Sequence, residues 1–160
     1  MIVIPEQLRN QEFRFIKIRG HTKFPLEKWS NPKRQYCFDD VELLEHLNKE
    51  DNYALLTGNN MVVIDIDDKK GYKIIEKLPK TFSVKTRRGH HFYYFCNLLK
   101  KQVIKKNDKH IGEIQAKGQY VIGPNSFHSK GDRYVPDETE IAKISVDDLK
   151  KALKHFFEVD

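Results

Sequence analysis

A short acidic strand constrains the fold of this chain more than any other segment. Residues 61–64 are apolar and rich in β-branched side chains, a pattern typical of a buried strand, and Asp65, Ile66 and Asp67 follow. Because side chains alternate between the faces of a strand, both aspartates are expected to share a face. Adjacent carboxylates repel each other unless a cation neutralises them. The segment therefore predicts a site for a hard divalent cation such as Mg²⁺ or Mn²⁺; the alternative is a strand running into a polar turn at 68–71.

The composition limits the class of protein. A chain of 160 residues is expected to form one domain with its own core. No apolar run approaches the roughly 20 residues of a membrane helix, and the first residues lack the pattern of a secretory signal. The cytoplasm is therefore the expected compartment, and no membrane partner is expected. Cys37 and Cys96 are far apart, which argues against a structural zinc site and does not suggest a disulfide.

An excess of basic residues indicates an acidic partner. The chain has 29 Lys and Arg residues against 23 Asp and Glu residues, a formal net charge of +6. Such a surplus favours a polyanion, and nucleic acid is the usual one, although many basic proteins bind none. The charge alone does not indicate sequence specificity.

Alternation of apolar and polar residues predicts the strands. Residues 13–18 and 53–56 are expected to be strands, and the turn 58–60 is expected to join the second to the acidic strand as a hairpin. Further strands are expected at 81–86, 90–95, 111–115 and 120–123. The last two are expected to pair as a second hairpin. The basic segment 100–110 is expected to be a solvated connection.

Capping patterns predict three helices. The first is expected to be capped at Asp39, the second to span 71–78, and the third to be capped at Ser145. The apolar face of the first helix is expected to consist of Val41, Leu44 and Leu47. The apolar stripe of the third is expected to consist of Leu149, Ala152, Leu153, Phe156 and Phe157. Because strands and helices interleave and most strands pair through short turns, the expected class is α+β with a largely antiparallel sheet.

Two more polar residues interrupt apolar strands. His91 shares a strand face with Tyr93, and Glu113 lies beside Ile114 in its strand. A histidine on a strand is more often structural than catalytic, and a glutamate in a hairpin strand is usually exposed. Together with the two aspartates they carry more weight, because three carboxylates from two strands can bind two divalent ions. Such a pair aligns the attacking and leaving oxygens in phosphoryl transfer.

Two loops add cations and hydroxyl groups. Arg87 and Arg88 precede Gly89 and the strand 90–95, and cations on a flexible backbone suit a phosphate group. The loop 123–131 provides Ser126, His128 and Lys130. The alternative for each loop is an ordinary polar turn.

The motifs in these segments, and their order along the chain, resemble those of the primase–polymerase (prim-pol) branch of the archaeo-eukaryotic primase superfamily. The matching pattern begins with three apolar residues, Asp, an apolar residue and Asp at 62–67, and then a small residue, any residue and His at 89–91. An acid between apolar residues follows at 113, and then Gly-x-Tyr-Val-x-x-Pro-x-Ser-x-His at 118–128. Lys23-x-Pro25 and Trp29 look like the N-terminal element of the family. The resemblance runs from about Ile16 to Tyr134.

The resemblance implies a fold and a set of site residues. The fold is RRM-like, a largely antiparallel sheet with flanking helices, packed against a small N-terminal α/β unit. Within a single catalytic domain, 1–160, the N-terminal unit would cover about 1–60 and the RRM-like unit about 61–160. The implied metal ligands are Asp65, Asp67 and Glu113. The implied nucleotide-binding residues are His91, Ser126 and His128, with Lys23 and Arg88 as weaker candidates and Lys130 in the same loop as His128.

The resemblance also implies an activity and its partners. The activity is template-directed nucleotidyl transfer in DNA replication, as a DNA primase or DNA polymerase that uses NTPs or dNTPs with two Mg²⁺ or Mn²⁺ ions and no zinc. His91 would act with the three acids in catalysis. Expected partners are single-stranded DNA template and primer, the nucleotides, and a helicase or helical priming domain on the same or another chain. The lysines of 100–109 are expected to hold the template backbone.

Some residues depart from the family pattern, and two other functions stay open. Asn125 stands where a second proline is common, and Arg87 and Arg88 stand where small residues are frequent. One alternative function is a non-catalytic primase-like subunit that binds nucleic acid. The other, less favoured because it has less need of a triphosphate clamp, is a metal-dependent nuclease.

Overall fold

The chain folds into two compact units. The computed structural model describes residues 1–154 and 157–158. The first unit consists of Met1–Leu56 and Tyr120–Pro136, and the second of Thr57–Gln119 and Asp137–Asp160. The boundary expected near residue 60 puts 120–136 in the second unit, whereas the structure groups this segment with the first.

The elements follow one another in an interleaved order. They are β1 (Phe15–Lys17), α1 (Val41–Asn48), β2 (Tyr53–Leu56), β3 (Met61–Ile66), α2 (Tyr72–Ile75), β4 (Ser83–Lys85), β5 (His90–Phe95), β6 (Gln102–Lys106), β7 (Lys109–Gln115), β8 (Tyr120–Ile122), β9 (Val135–Pro136), β10 (Ala142–Lys143), α3 (Val146–Ala152) and β11 (Phe157–Glu158). Most strand pairs are antiparallel, which confirms the expected α+β class. In the described part of the chain, no helix has the length and apolar character needed to cross a membrane.

A three-stranded antiparallel sheet forms the centre of the first unit. Strand β2 lies in the middle and pairs with β1 on one side and β8 on the other. Both predicted hairpins are therefore wrong, because β2 does not pair with β3 and β8 does not pair with β7. The apolar strands are the same as predicted, but their partners are distant in sequence. The pairing of β8 with β2 is what brings 120–136 into this unit.

The second unit contains the acidic strand at the middle of a larger sheet. Its strand order is β11-β6-β7-β3-β5-β4, and the short β10 adds a parallel pairing to β5. One face of this sheet packs against α2 and α3 in an apolar core that includes Ile64, Ile66, Ile74, Tyr94 and Leu149. Strand β3 has neighbours on both sides, which fits its continuous run of β-branched residues.

The basic segment 100–110 is not a solvated connection. It forms the hairpin of β6 and β7, and the side chains of Gln102 and Ile104 are buried. Asn107 and Asp108 occupy its turn with φ of 52° and 61°. Asparagine and aspartate tolerate this left-handed conformation better than other residues, which suits a two-residue hairpin turn.

The helices differ from the prediction mainly at their ends. α1 begins one residue later than expected, after Asp40, whose carboxylate accepts a hydrogen bond from the backbone N–H of Cys37 at 2.8 Å. Its buried side chains are Leu43, His46 and Leu47, so the predicted face of Val41, Leu44 and Leu47 is wrong at the first two positions.

The other two helices are shorter than expected. α2 covers Tyr72–Ile75 after a 3₁₀ turn at Lys69–Gly71. In α3 the predicted cap is confirmed, because the Ser145 hydroxyl accepts a hydrogen bond from Asp148 N at 3.0 Å. Leu149, Ala152 and Leu153 are buried as expected. Phe157 belongs to β11 instead of the helix, and Phe156 lies outside the described residues.

Candidate active site

Three of the predicted site residues lie in one row across the sheet of the second unit. Asp65 on β3 is directly opposite Glu113 on β7 and directly opposite His91 on β5. Residues that face each other across antiparallel strands project from the same side of the sheet. Glu113, Asp65 and His91, the acid row, therefore share one face, while Ile64 and Ile66 point into the core on the other. The alternation of β5 predicted from the sequence is confirmed by this arrangement.

Imidazole rings lie beside both acids of the row, and a lysine lies beside Glu113. His91 is buried, and its Nε2 lies 3.6 Å from Asp65 Oδ1. The Glu113 carboxylate has Lys101 Nζ at 3.4 Å from Oε2 and His110 Nε2 at 3.4 Å from Oε1. The side chains of Asp65 and Glu113 keep 38% and 28% of their surface exposed, so both are reachable from solvent. The face of the row can thus offer carboxylate oxygens to a ligand.

Gln115 holds the Glu113 carboxylate from the same strand. Its Nε2 donates a hydrogen bond to Glu113 Oε2 at 2.8 Å. The two residues are two positions apart on β7, so they share a face of the sheet. Sequence reasoning missed Gln115, Lys101 and His110, and only the two-residue spacing of Gln115 gave any signal.

Asp67 lies one residue beyond the end of β3 and is exposed. Strand alternation therefore no longer fixes its direction. Burial first, and then the charges of Asp65 and Asp67, raise the pKa of the Tyr72 phenol. Across residues 1–154 and 157–158, no three His, Cys, Asp or Glu side chains stand together as a preformed metal site. The metal-binding set of Asp65, Asp67 and Glu113 stays a prediction.

A tight turn packs against the end of the acidic strand. Between β4 and β5, Thr86 N donates to Gly89 O at 2.9 Å and Gly89 N donates to Thr86 Oγ1 at 3.1 Å. A Cβ at Gly89 would overlap the carbonyl oxygen of Ile66, so the close approach of the two backbones requires glycine. The turn carries the exposed Arg88, one of the predicted phosphate ligands.

On the opposite face of β5, a tyrosine and a histidine join α2 to the sheet. Tyr72 Oη lies 2.7 Å from His90 Nδ1, and the His90 ring stacks on Phe92 with centroids 5.7 Å apart. Burial, followed by the charge of Lys85, lowers the pKa of His90. A neutral imidazole can accept a hydrogen bond from the Tyr72 hydroxyl through Nδ1. Sequence reasoning did not find this pair.

The other predicted nucleotide-binding residues belong to the first unit. Lys23 and Lys130 are exposed, and His128 Nδ1 accepts a hydrogen bond from Lys130 N at 3.1 Å. Ser126 is fully buried, and its Oγ accepts from Tyr53 N at 3.4 Å. The Ser126 hydroxyl therefore faces the interior of this unit, and its contact with a phosphate stays a prediction.

A buried asparagine fastens the two loops that carry these residues. Asn52 Nδ2 donates to the carbonyl oxygens of Thr22 at 3.1 Å and Phe127 at 2.7 Å, and its Oδ1 accepts from Phe127 N at 2.8 Å. The Lys23 loop and the Ser126–His128 segment are thus tied to one side chain. No pattern in the sequence indicated this role of Asn52.

Comparison with known proteins identifies the family of the chain. The family model described as Prim-Pol, bifunctional DNA primase/polymerase, N-terminal, matches residues 6–147. A search of the curated proteins found no match. The matched region covers most of the chain and contains the whole acid row, as well as the loops of the first unit that carry the predicted phosphate ligands. Because this match covers most of the chain, the chain belongs to the bifunctional DNA primase/polymerase family, and it matches the N-terminal domain of that family.

Proposed function

We propose that this chain is a template-directed nucleotidyltransferase that starts or extends a DNA strand from NTPs or dNTPs. Family membership supports a function of the DNA primase/polymerase type. The acid row is the observation that carries the catalytic part of the proposal, because Asp65 and Glu113 face each other and His91 borders Asp65. A purely binding module has no need of this combination.

The donor chemistry of the row fits a hard divalent cation. Asp65 and Glu113 offer oxygen ligands on a face that solvent can reach, and Asp67 follows at the end of β3. We infer that these three residues hold two Mg²⁺ or Mn²⁺ ions. When bound, such ions activate the attacking hydroxyl group and neutralise the leaving pyrophosphate. Lys101 Nζ lies 3.4 Å from Glu113 Oε2 and offsets the charge of that carboxylate.

The side chains around the row would bind and orient the triphosphate. His91 is buried on β5, which lies between β3 and β4, and its imidazole next to Asp65 would contact phosphate oxygens. Arg88 is exposed on the neighbouring turn, and a guanidinium group binds phosphate in a bidentate manner. In the first unit, Lys23, Ser126, His128 and Lys130 are proposed nucleotide-binding residues, with Asn52 as the residue that positions their loops.

A primer-extension and de novo priming assay tests the function directly. Wild type is compared with Asp65→Ala/Asp67→Ala and with Glu113→Gln, in Mg²⁺ and in Mn²⁺ and with each nucleotide set. Both variants are expected to lose product to background, since each removes carboxylate ligands from the row. The matched control is Glu45→Ala/Glu138→Ala, which removes two exposed acids away from the row. Wild-type activity in the aspartate double variant would reject the mechanism.

Two measurements separate the proposal from its alternatives. A non-catalytic subunit would show no metal-dependent affinity for dNTP in calorimetry with Mn²⁺. A nuclease would shorten labelled single-stranded DNA in Mg²⁺ without nucleotides. A helicase or helical priming domain, on the same or another chain, is the proposed replication partner, and a priming assay with and without it would measure its contribution.

A further inference from the structure

The first unit presents an aromatic ring to solvent at the tip of a short loop. Phe24 is 68% exposed, and Leu26, two residues further on, is 42% exposed. We call residues 19–26 the Phe24 tip. Apolar surface that is exposed to water is unfavourable, and burying the Phe24 and Leu26 side chains against a partner would lower the free energy. The tip is therefore a candidate contact surface.

The Phe24 tip is firmly held although its ring is exposed. Its two sides are bridged where Arg19 N donates to Phe24 O and Leu26 N donates to Lys17 O, both at 2.9 Å. Phe24 N donates to Thr22 Oγ1 at 3.1 Å. A ring whose backbone is already fixed loses less conformational entropy on binding than one in a mobile loop.

Two side chains of the first unit hydrogen-bond to the tip, and a third packs against one of them. Asn52 Nδ2 donates to Thr22 O, and Tyr120 Oη donates to Lys23 O at 2.9 Å. Trp29 meets the Tyr120 ring edge-on, with centroids 5.5 Å apart. Trp29 thus packs against Tyr120, which holds the tip, whereas the Phe24 ring faces solvent.

The charge around the tip is positive. Arg19, Lys23 and Lys28 are all exposed. Glu27, the acid within residues 19–28, is already engaged by other cations, because it pairs with Lys17 at 3.7 Å and with Arg34 at 3.3 Å. Within the described residues, no ion pair joins Arg19, Lys23 or Lys28 to a carboxylate. The cations of the tip are therefore available to a polyanion.

We propose that the Phe24 tip is a stacking platform for single-stranded nucleic acid, with one base against the Phe24 ring and the backbone phosphates near Arg19 and Lys28. A fixed aromatic ring among cations is the combination by which proteins hold single strands without reading their sequence. A duplex fits less well, because its bases are stacked on one another. The inference rests on the proposed function in that it assigns a surface to the single-stranded partner.

Fluorescence anisotropy of a labelled oligothymidylate of about 12 nucleotides, without metal or dNTP, tests the platform. Phe24→Ala is expected to weaken binding about 5- to 100-fold, the range for loss of one stacked base. Phe24→Trp is expected to bind about as tightly as wild type, and its added indole fluorescence should be quenched by the strand. Phe24→Leu keeps apolar area without a π-face and is expected to behave like Phe24→Ala. The matched control is Val41→Ala, because Val41 is also 68% exposed in this unit.

Several outcomes would overturn the platform. These are binding by Phe24→Ala within about twofold of wild type, full binding by Phe24→Leu, the same loss for a duplex of equal length, or no binding by wild type. Circular dichroism shows whether each variant is folded, and the exposure of Phe24 makes a folding defect unexpected.

A failure of the stacking platform and a failure of the proposed function give different experimental results. Asp65→Ala/Asp67→Ala is expected to keep the oligothymidylate affinity while losing primer extension. An unchanged affinity of Phe24→Ala would reject the platform and leave the function standing. Conversely, full activity of the aspartate variant together with weakened binding by Phe24→Ala would reject the function and keep the platform.

Discussion

Gln115 is the neighbour that most directly fixes the carboxylate of Glu113. Its amide nitrogen donates to Glu113 Oε2, while its own Oε1 is buried and finds no hydrogen-bond partner among the described residues. A buried polar atom without a partner costs stability. The amide of Gln115 therefore makes its hydrogen bond to Glu113 while its carbonyl oxygen stays without one. This arrangement is typical of a residue that orients a ligand side chain.

We predict that Gln115→Leu weakens use of the metal without unfolding the protein. Leucine keeps most of the volume but removes the donor to Glu113. The concentration of Mn²⁺ that gives half-maximal primer extension is expected to rise about 10- to 100-fold, as for other lost supports of a metal ligand. Gln119→Leu, the same change outside the acid row, is the control. An unchanged Mn²⁺ dependence in Gln115→Leu would show that Gln115 does not position Glu113.

His90 makes a second prediction at this scale, on pH. Burial and then Lys85 lower its pKa below the usual 6.5, and its Nδ1 accepts from Tyr72. The unfolded chain therefore takes up the proton before the folded protein does. The stability linked to His90 is fully present above about pH 6.5 and is lost as the pH falls through the window below that value. His90→Asn is expected to flatten the fall of stability between about pH 7 and pH 5.

Urea unfolding followed by circular dichroism at several pH values measures this effect. The slope of unfolding free energy against pH is compared between wild type and His90→Asn. Equal slopes in the two proteins would contradict the assignment, whatever the stability of the variant at neutral pH.

At the level of secondary structure elements, the turn before β5 ties the predicted phosphate ligands to the acidic strand. Gly89 lies against the carbonyl oxygen of Ile66 and near the Cα of Asp67. The position of Asp67 and that of the turn are thus set by the same backbone contact. A change in the turn is expected to reach the predicted metal ligand Asp67 through this contact.

We predict that Gly89→Ala destabilises the protein by about 1–3 kcal/mol, because the new methyl group meets backbone that can move only by shifting a strand. Primer extension is expected to fall as well at temperatures where the variant stays folded. Gly118→Ala is the control: it has no atom within 4 Å of its added Cβ, and only its φ of 80° opposes the change. A Gly89→Ala variant as stable and active as wild type would show that the contact is not needed.

Local patterns predicted strands and caps better than they predicted partners. β3, β5 and the Ser145 cap were correct because apolar runs, alternation and capping are encoded within a few residues. The hairpins of β2 with β3 and of β7 with β8 were wrong because each strand pairs with one distant in sequence. The β6–β7 hairpin was missed because its lysines hid the alternation of the buried Gln102 and Ile104. In α1 the buried face was missed because it includes His46, a polar residue whose ring hydrogen-bonds to the carbonyl oxygen of Asn52 at 2.7 Å.

The candidate site was predictable in part for the same reason. Asp65, His91 and Glu113 could be singled out as polar breaks in apolar strands, and resemblance gave their order. Their meeting in one row depends on the register of β3 with both neighbours, which no local pattern contains. Asn52 and Tyr72 act through contacts with distant loops or strands, so neither stood out in the sequence.

At the scale of the whole molecule, the surplus of positive charge is only partly free for a partner. Lys101 lies beside Glu113, and Lys109 Nζ lies 2.9 Å from Asp68 Oδ2, with Lys109 helping to lower the pKa of that carboxyl group after the backbone N–H of Lys70. The expectation that all lysines of 100–109 hold the template therefore needs refinement. Lys100 is exposed at the start of the β6–β7 hairpin and is the better candidate for a phosphate contact.

The salt dependence of single-strand binding distinguishes such lysines. The logarithm of the association constant for oligothymidylate is expected to fall linearly with the logarithm of salt concentration between about 50 and 200 mM, with a slope of about −0.7 for each phosphate contact. Lys100→Ala is expected to make the slope shallower by about 0.7 if one contact is lost. Lys109→Ala is expected to change it less, because Asp68 already compensates that charge. Anisotropy titrations at four or more salt concentrations measure both, and a larger change for Lys109→Ala than for Lys100→Ala would contradict this division of the charge.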